Sequence, residues 1–376
     1  MVGICRKGIF MKKLLKMAKA AVAGALTFII VAGAAACSSP LDEKVTPVAK
    51  ADFRVTAYMV GDRFLNPADI DDSHFDQVTD FIFMGMADFN TAGEIVLSED
   101  FETAYNNIAP YLPADANFYI NLLGPKSTLQ TEDWNAQMEE QGKLHTQAFQ
   151  SGVLEQNIKD LLDTYGFDGV YFDYEYPINQ ENWDAFNAFT ISLDSCLGED
   201  YKIGMAMSDW DLGQSEEAMA ATDFIEIMAY DNWDKNGNHA PYENAEKSIE
   251  ALLKKGYERS KLTLGLPFYA RPTTEEAYWY DYKSYCDRID ENGLFVDTED
   301  TGLTFSFNTY DLIRQKTELA VNCGLGGVMV WHYACDAPAD YPASLFNAIE
   351  DGINTAYAQE ERSEERRVGK ECRSRW

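Results

Sequence analysis

Two carboxylic acids at the end of a short apolar run are the residues of this chain with the clearest capacity for chemistry. Residues 168–175 read Asp-Gly-Val-Tyr-Phe-Asp-Tyr-Glu, so Asp173 and Glu175 lie two positions apart. Alternate residues of a strand share one face, which places Tyr171, Asp173 and Glu175 together. The charge of Asp173 would raise the pKa of Glu175 and help to keep it protonated as a general acid. Hydrolysis of a glycosidic bond requires such an acid to protonate the leaving oxygen.

The position of this acid pair is more informative than its composition. The chain contains 62 Asp and Glu residues, so an Asp-x-Glu match arises often by chance and is usually a solvated pair. This pair ends an apolar run, follows a helical pattern that stops at Gly166, and precedes Pro177. That context favours a site at the end of a buried strand.

The elements that must position the pair are eight strand-like apolar runs that alternate with amphipathic helical patterns, although the helical pattern after the first run is weak. This alternation predicts an α/β fold, a (β/α)8 TIM barrel formed by residues 53–361. Catalytic groups of such barrels project from the carboxyl ends of the strands. The predicted strands are 55–60, 78–86, 118–123, 169–174, 203–207, 224–230, 262–269 and 328–333. The clearest predicted helices are 153–165, 183–197, 245–255 and 310–322.

The stretch that follows the seventh predicted strand, residues 273–306, is longer than a simple link to a helix. It is rich in aromatic residues, which suits a short insertion that forms one wall of a cleft; an ordinary long loop is the alternative. It is too short for a full additional domain, which argues against a deep tunnel for processive cleavage. Tryptophans near strand ends would stack on sugars along a cleft or else pack within the fold. They are Trp134, Trp210, Trp233 and Trp279.

Four motifs of the chain resemble those of glycoside hydrolase family 18, the chitinase family, over about residues 53–350. The fourth-strand signature of that family is Asp-x-x-Asp-x-Asp-x-Glu. Asp168, Asp173 and Glu175 match three of its four acids, and Tyr171 stands at the position of the second Asp. The other motifs are Met-Ala-Tyr-Asp at 228–231, Gly-Leu-Pro-Phe-Tyr-Ala-Arg at 265–271 and Gly-Gly-Val-Met-Val-Trp at 326–331.

The resemblance implies a role for each matching residue. Glu175 would protonate the glycosidic oxygen, and the 2-acetamido carbonyl of the substrate would be the nucleophile, with retention through an oxazolinium intermediate. Asp173 would orient the acetamido N–H, and Tyr230 would hydrogen-bond the acetamido carbonyl. No metal or organic cofactor is implied. The residues expected to contact the substrate are Tyr58, Tyr171, Met228, Asp231, Tyr269, Arg271 and Trp331.

Several of these residues also have a purely structural interpretation. Tyr230 would then be a core tyrosine and Trp331 barrel filling, while Tyr269 and Arg271 would form a structural pair. Asp168 is expected to serve structure, because its parity in the strand sets it off the face of Glu175.

Two departures from the family pattern bear on the site. Tyr171 removes a carboxylate beside Asp173, but its phenol can still hydrogen-bond Asp173, so an altered pH dependence is expected rather than loss of activity. The third strand reads Asn-Leu-Leu-Gly at 121–124, where the family usually has Ser-x-Gly-Gly. The contacts of the third strand therefore do not follow from the resemblance.

The resemblance implies cleavage of β-1,4 bonds next to N-acetylglucosamine, as in chitin or chitooligosaccharides. An endo-β-N-acetylglucosaminidase that acts on N-glycans, or a related enzyme on peptidoglycan, is the nearest alternative. A catalytically silent carbohydrate-binding protein on the same fold is an alternative from a different class. Silent relatives typically lose the terminal Glu of the motif, so the presence of Glu175 favours an enzyme.

The N-terminal residues are expected to direct the protein out of the cytoplasm. Residues 1–36 have the basic, apolar and small-residue zones of a secretory signal, with Met11 the better initiator. The run Ala-Ala-Ala-Cys-Ser-Ser that contains Cys37 resembles a bacterial lipoprotein processing site, which implies a lipid on that thiol; ordinary secretion is the alternative. Residues 37–52 would then form a linker between lipid and domain. The protein would be a lipid-anchored monomer of the cell envelope or cell surface.

Charge limits the partners of the domain. Residues 362–376 resemble a translated sequencing-library adapter and are excluded as an artefact; a basic tail is the alternative. The whole chain carries −31, to which residues 1–36 contribute +6 and residues 362–376 contribute +3, so residues 37–361 carry −40. Such a surface repels nucleic acids and disfavours polyanionic glycans, which leaves neutral glycans as partners. The four histidines have no metal-ligand spacing.

Overall fold

The computed structural model describes residues 39–274 and 278–373. The predicted signal segment 1–36 and the predicted lipidation site Cys37 lie outside the described residues. Within the part of the chain that is described, no helix is both long and apolar enough to cross a lipid bilayer.

The central element is a closed barrel of eight parallel strands, which confirms the predicted (β/α)8 fold. Its strands, numbered along the chain, are β1 (Arg54–Val60), β2 (Asp80–Met84), β3 (Asn117–Leu122), β4 (Gly169–Phe172), β5 (Lys202–Met207), β6 (Phe224–Ile227), β7 (Leu262–Pro267) and β8 (Gly327–Trp331). They hydrogen-bond in the order β1-β8-β7-β6-β5-β4-β3-β2. In the register of the barrel, Tyr171 lies between Asn121 of β3 and Gly204 of β5.

The barrel strands are mostly apolar because both of their faces are buried, and the buried acids Asp80 and Glu226 are exceptions. Every residue of β4 and of β7 is buried, the pattern typical of a parallel sheet that is covered by helices. The predicted seventh strand, 262–269, is wrong in one respect. It is two strands, because β7 ends at Pro267 and the chain then enters a second sheet at Tyr269.

Helices follow the strands and cover the outside of the barrel. Between β1 and β2 the described chain forms three short 3₁₀ helices instead of an α-helix, which agrees with the weak helical pattern there. The predicted stop at Gly166 is confirmed, since this glycine caps a helix with φ 74°. The α-helices are α1 (Phe101–Ile108), α2 (Trp134–Phe149), α3 (Leu154–Tyr165), α4 (Gln180–Leu197), α5 (Glu216–Ala221), α6 (Tyr242–Lys255), α7 (Tyr310–Asn322) and α8 (Leu345–Arg373).

The stretch after β7 is an insertion with a sheet of its own, as the first of the two sequence interpretations proposed. The sheet is antiparallel. When its four strands are numbered along the chain, the first strand lies between the second and the fourth in the sheet. Stacked aromatic rings stabilise this sheet. The ring centroids of Phe305 and Tyr280 are 4.0 Å apart, and those of Tyr280 and Tyr285 are 4.5 Å apart. Its four strands are Tyr269–Pro272, Tyr280–Asp281, Leu294–Val296 and Thr304–Ser306.

The described part of the predicted linker lies against the barrel. Ser39 donates a hydrogen bond to Glu250 of α6 at 2.6 Å, and Arg259 donates to the carbonyl of Pro40 at 2.7 Å. Further along, Tyr357 of α8 donates to the carbonyl of Val48 at 2.8 Å. Arg259 precedes β7, so residues 39–48 pack at the amino ends of the strands, and they do not form the free spacer that their composition suggested.

Asp168 lies just before β4 and joins it to β3. Its backbone N–H donates to the carbonyl of Phe118 at 2.7 Å, and its carboxylate accepts from the N–H of Phe118 at 2.8 Å. Phe118 is buried. The structure therefore gives Asp168 a structural position, at the end of the barrel opposite Asp173 and Glu175.

We expect Asp168→Ala to lower the free energy of unfolding by about 1–3 kcal/mol, because the buried N–H of Phe118 would lose its acceptor. Asp168→Asn keeps an acceptor oxygen and should cost clearly less. Urea unfolding followed by circular dichroism measures both variants. Unchanged stability of Asp168→Ala would contradict the structural role.

Candidate active site

A cleft of about 570 Å³ opens at the carboxyl ends of the barrel strands. It contains ten of the residues singled out from the sequence. Eight come from the ends of β4, β6 and β8 and from the strand that follows β7, namely Asp173, Glu175, Met228, Tyr230, Asp231, Tyr269, Arg271 and Trp331. The other two are Trp210 and Trp279. Four further lining residues were not predicted, namely Tyr176, Ser208, Asp209 and Asn232.

Asp173 and Glu175 occupy different depths in the cleft. β4 ends at Phe172, but the N–H of Asp173 still donates to Leu122 of β3 at 3.2 Å. Asp173 is consequently held at the floor with only 5% of its surface exposed, while Glu175 is exposed toward the cleft. On the outer side, Gln141 donates to the carbonyl of Glu175 at 2.6 Å and fixes the backbone there.

The pKa values of both acids are raised. Burial, and after it the charge of Glu175, raises the pKa of Asp173, and Lys126 acts weakly in the opposite direction. Burial also raises the pKa of Glu175; a hydrogen bond with Tyr176 lowers it, and the charge of Asp231 raises it. Two interacting carboxyl groups with raised pKa values share a proton near neutral pH. The predicted protonated acid is therefore a property of the pair, and the deeper Asp173 is its more strongly desolvated member.

Asp231 is the ionised carboxylate of the cleft. It accepts hydrogen bonds from Nε and Nη2 of Arg271 and from the hydroxyl of Tyr269, each at 2.8 Å. Burial acts to raise its pKa, but the hydrogen bonds and charge of Arg271 and the hydrogen bond from Tyr269 outweigh burial and lower the pKa. The sequence left open whether Tyr269 and Arg271 are a structural pair or part of the site. They both line the cleft and both hold Asp231.

Tyr230 and Trp331 lie on either side of the acid pair. Tyr230 is half-buried and packs edge-on to Tyr269, with ring centroids 6.1 Å apart. Burial raises its pKa well above the usual value for a phenol, so its hydroxyl keeps its proton and can donate a hydrogen bond. Trp331 ends β8 and presents an indole ring to the cleft, with the ring of Tyr58 5.1 Å away on its inner side.

Two of the predicted substrate contacts, Tyr58 and Tyr171, do not line the cleft. Both side chains are at most 1% exposed and belong to a cluster inside the barrel, beneath the floor that Trp331 and Tyr230 form. Side chains at β-strand positions facing the barrel interior fill it in layers. The two tyrosines support the floor, and the expectation that they contact a substrate directly is wrong for this structure.

The predicted hydrogen bond between Tyr171 and Asp173 does not form. Among the described residues, neither the hydroxyl of Tyr171 nor Oδ1 of Asp173 has a partner in hydrogen-bonding geometry. Its ring instead crosses over Gly204, where a Cβ atom would lie 2.2 Å from ring atom Cζ. Beyond Gly204 lies Glu226, a fully buried carboxyl group that hydrogen-bonds Thr263. Burial raises the pKa of Glu226 to about 7. Glu226 was missed, although an acid inside the apolar run 224–230 was a visible signal.

The four tryptophans divide into two groups. Trp210 and Trp279 line the cleft, whereas Trp134 and Trp233 lie outside its lining. Trp210 is 58% exposed and offers a ring face. Trp279 is stacked between Tyr269 at 5.4 Å and His332 at 5.6 Å, so both of its faces are covered and only its edge borders the cleft.

The residues that the structure describes contain no group of three or more His, Cys, Asp or Glu arranged to hold a metal ion. The four described cysteines are free thiols, and no pair of them is joined.

A family model and similar known proteins point to the same family. The model of glycosyl hydrolases family 18 matches residues 126–336. Probable chitinase 10 of Drosophila melanogaster is 24% identical over 289 residues, which are 57% of this chain and 12% of that protein. Chitinase 63 of Streptomyces plicatus is 28% identical over 238 residues, 50% of this chain and 38% of that protein. The chain thus spans less than half the length of either relative.

Solved structures with the same fold cover most of the chain. The family 18 chitinase ChiB of Flavobacterium johnsoniae superposes with a TM-score of 0.63 at 23% identity, over 80% of this chain and 94% of that one. A mutant class V chitinase of Nicotiana tobaccum, in complex with NAG4, superposes with a TM-score of 0.63 at 16% identity, over 81% of this chain and 99% of that one. At these identities the superpositions establish the fold.

We expect Gly204→Ala to lower the free energy of unfolding by about 1–3 kcal/mol, because the added methyl group would collide with the ring of Tyr171. In a Tyr171→Leu background the ring is absent, and the same substitution should cost less. Urea unfolding of the four proteins of this double-mutant cycle measures the coupling. Equal costs in both backgrounds would show that Tyr171 does not occupy the space over Gly204.

Proposed function

The chain belongs to family 18 of the glycosyl hydrolases, and from this membership we propose that it hydrolyses β-1,4 bonds next to N-acetylglucosamine in chitin or chitooligosaccharides. The observation that carries the proposal is the acid pair, Asp173 and Glu175, at the carboxyl end of β4 in one cleft with Tyr230 and Trp331. The names of the relatives, chitinases in both cases, support the same substrate class.

Glu175 is the proposed general acid. Its side chain reaches into the cleft, and burial raises its pKa above the usual value of a glutamic acid, which favours the protonated form that a general acid needs. Transfer of that proton to the glycosidic oxygen breaks the bond to the leaving sugar. Loss of the proton leaves a negative charge on Glu175, and this charge raises the pKa of Asp173, so the two acids respond to each other during the reaction.

The proposed nucleophile is the acetamido carbonyl oxygen of the substrate, with net retention of configuration. The other carboxylates of the cleft are engaged: Asp231 is held by Arg271, and Asp209 accepts a hydrogen bond from Ser248 at 2.7 Å. Asp173 lies at the floor of the cleft and is largely buried, which suits orientation of the acetamido N–H better than attack on the sugar. Tyr230 would donate its hydroxyl proton to the acetamido oxygen and fix the angle of attack.

The aromatic side chains give the cleft its affinity for sugar rings. Trp331 would lie under the sugar that reacts, and the exposed ring of Trp210 would stack on a sugar further along the chain. The edge of Tyr176 packs against Trp210, with centroids 4.9 Å apart, and holds that ring in place. A net charge of −40 over residues 37–361, obtained by removing +6 and +3 from the total of −31, favours a neutral glycan such as chitin over an anionic one.

We also propose that the protein is attached to a membrane by a lipid on Cys37 and acts outside the cytoplasm. The support is the sequence around Cys37 and the path of the residues that follow it. Residues 39–48 pack at the amino ends of the strands, and the cleft lies at the carboxyl ends. An anchor at Cys37 would therefore hold the domain with its cleft directed away from the bilayer.

Glu175→Gln should reduce kcat on an N-acetylglucosamine tetramer by about 10²–10⁴-fold, because the amide has no proton to give to the leaving oxygen. Glu181→Gln, which changes an exposed acid at the start of α4, is the matched control and should leave kcat unchanged. Turnover by Glu175→Gln within a few-fold of the wild type, with an intact thermal transition, would overturn the assignment.

The same preparation distinguishes the alternatives. Product analysis with chitin oligomers, an N-glycopeptide and peptidoglycan side by side identifies the substrate class. The first anomer released, read by proton NMR, must be β for a retaining mechanism. Binding of chitin oligomers without turnover of any of the three would indicate a carbohydrate-binding protein instead of an enzyme.

For the anchor, we expect metabolic labelling with a radioactive or clickable palmitate analogue to label the wild type but not Cys37→Ser, since this thiol is the acylated group. Cell fractionation should place the wild type with membranes and the variant in the soluble extracytoplasmic fraction. Cys335→Ser, a change at a buried thiol of the domain, is the control. Equal labelling of the wild type and Cys37→Ser would contradict the proposal.

A further inference from the structure

We propose that His239 is a positioning residue of the cleft, which holds Asp231 by accepting the hydrogen bond of the Asp231 backbone N–H. It lies eight residues beyond Asp231 in the loop that joins β6 to α6 and does not line the cleft itself. The effect on turnover rests on the proposed function, whereas the contact of the imidazole can be measured without a substrate.

The contact closes a loop with an unusual backbone. Asp231 has φ 51° and Ala240 has φ 47°, a region that residues other than glycine rarely occupy. The N–H of Asp231 points to Nε2 of His239 at 3.1 Å, and the N–H of Ala240 donates to the carbonyl of Asn232 at 2.8 Å. These two bonds tie the ends of the loop together and hold Asp231 in this conformation.

Nε2 of His239 also lies 3.2 Å from Oδ1 of Asp231, so its protonation state decides which bond it makes. A protonated Nε2 donates to the carboxylate, whereas an unprotonated Nε2 accepts from the backbone N–H. Oδ1 already accepts from Tyr269 and from Nε of Arg271, which uses both of its lone pairs. The N–H of Asp231 has its acceptor in His239 among the described residues. Among the described residues Nδ1 of His239 has no hydrogen-bond partner in either tautomer. An unprotonated Nε2 satisfies the N–H of Asp231, whereas a protonated Nε2 would leave that N–H without an acceptor as well, so the balance of hydrogen bonds favours the neutral ring with an unprotonated Nε2.

The backbone of His239 is held by residues outside its own loop. The N–H of His239 donates to Oγ of Ser306 at 3.0 Å, and its carbonyl accepts from Asn308 at 2.9 Å. Lys316 of α7 donates to Asn308 and to the carbonyl of Ala240, both at 2.6 Å. These groups belong to the insertion sheet and to α7, so the loop that presents Asp231 is attached to two elements outside it.

Burial is the main cause of a lowered pKa of the His239 ring. His239 is 1% exposed, and burial lowers its pKa; the contact with Asp231 raises the pKa, while Lys316 and Arg271 lower it. The phenol ring of Tyr269, 5.2 Å away, is the remaining titratable group that faces it. Because the pKa is lowered, the accepting form is present at neutral pH and is lost as the pH falls through that lowered value.

His239 affects the cleft through its contact with Asp231. Its carboxylate fixes Arg271 and Tyr269, and its charge raises the pKa of Glu175 and of Tyr230. Protonation of His239 would remove the acceptor from the Asp231 N–H and add a competing donor at Oδ1. The acid limb of the activity profile would then contain the titration of His239 in addition to that of the acid pair.

The test compares His239→Gln with His239→Leu. Gln places a polar group near the position of Nε2 that can accept an N–H but does not titrate, whereas Leu cannot accept. At pH 7 we expect Gln to retain most of kcat/KM and Leu to lose about ten-fold, the effect of one hydrogen bond. In the pH profile, Gln should extend activity to lower pH. A His239→Leu enzyme with wild-type kcat/KM and pH profile would overturn the proposal.

A second measurement does not depend on turnover. The chain has four histidines, so selective nitrogen-15 labelling gives four ring systems, and the His239→Gln variant identifies the signals of His239. We expect Nε2 of His239 to be unprotonated at pH 7. We also expect the ring to titrate below the reference pKa of an exposed histidine, roughly 6.5. A protonated Nε2 at pH 7 refutes the proposed contact whether or not the wild type hydrolyses chitin. Absence of turnover in the wild type, with this NMR result intact, refutes the proposed function alone.

Discussion

The burial of carboxyl groups at one end of the barrel is the constraint to which the rest of the site responds. A carboxylate removed from water is unstable unless it is protonated or paired. The cleft contains both solutions within a short distance. Burial raises the pKa values of Asp173 and Glu175, which favours their protonated forms. Asp231 has the guanidinium of Arg271, so its pKa falls and it stays ionised.

This division of roles explains why the insertion matters to a site formed mainly by barrel strands. Arg271 and Tyr269 lie on the first strand of the insertion sheet, which leaves β7 directly, and both bind Asp231. Ser306, on another strand of that sheet, holds the loop that follows Asp231. The insertion thus supplies the positive charge and the anchoring that keep one carboxylate ionised beside a protonated pair. A barrel that lacked this sheet would present the same acids without that electrostatic contrast.

Much of the fold was accessible from the sequence because the signals were local. A strand buried on both faces is mostly apolar, and this located all eight barrel strands, with errors of a few residues at their ends. Of the residues expected to contact the substrate, all but Tyr58 and Tyr171 line the cleft. The errors and omissions concern relations across the barrel. That Tyr171 lies over Gly204, or that His239 returns to Asp231, depends on register and loop path, which no local pattern records.

The position of Tyr171 shows how such a cross-barrel relation alters a motif. An aspartate there would add a third buried carboxyl group to an interior that already holds Asp173 and the fully buried Glu226. Each further unpaired charge in that space would raise the cost of ionising the others. A tyrosine fills the same volume without charge, and the absence of a side chain at Gly204 gives its ring room to lie across the barrel. Tyr171, Gly204 and Glu226 therefore form a mutually compatible set, in which the buried carboxyl group lies on β6 instead of β4. A single Tyr171→Asp change would therefore add a charge near Glu226 and leave empty the space over Gly204 that the ring now fills.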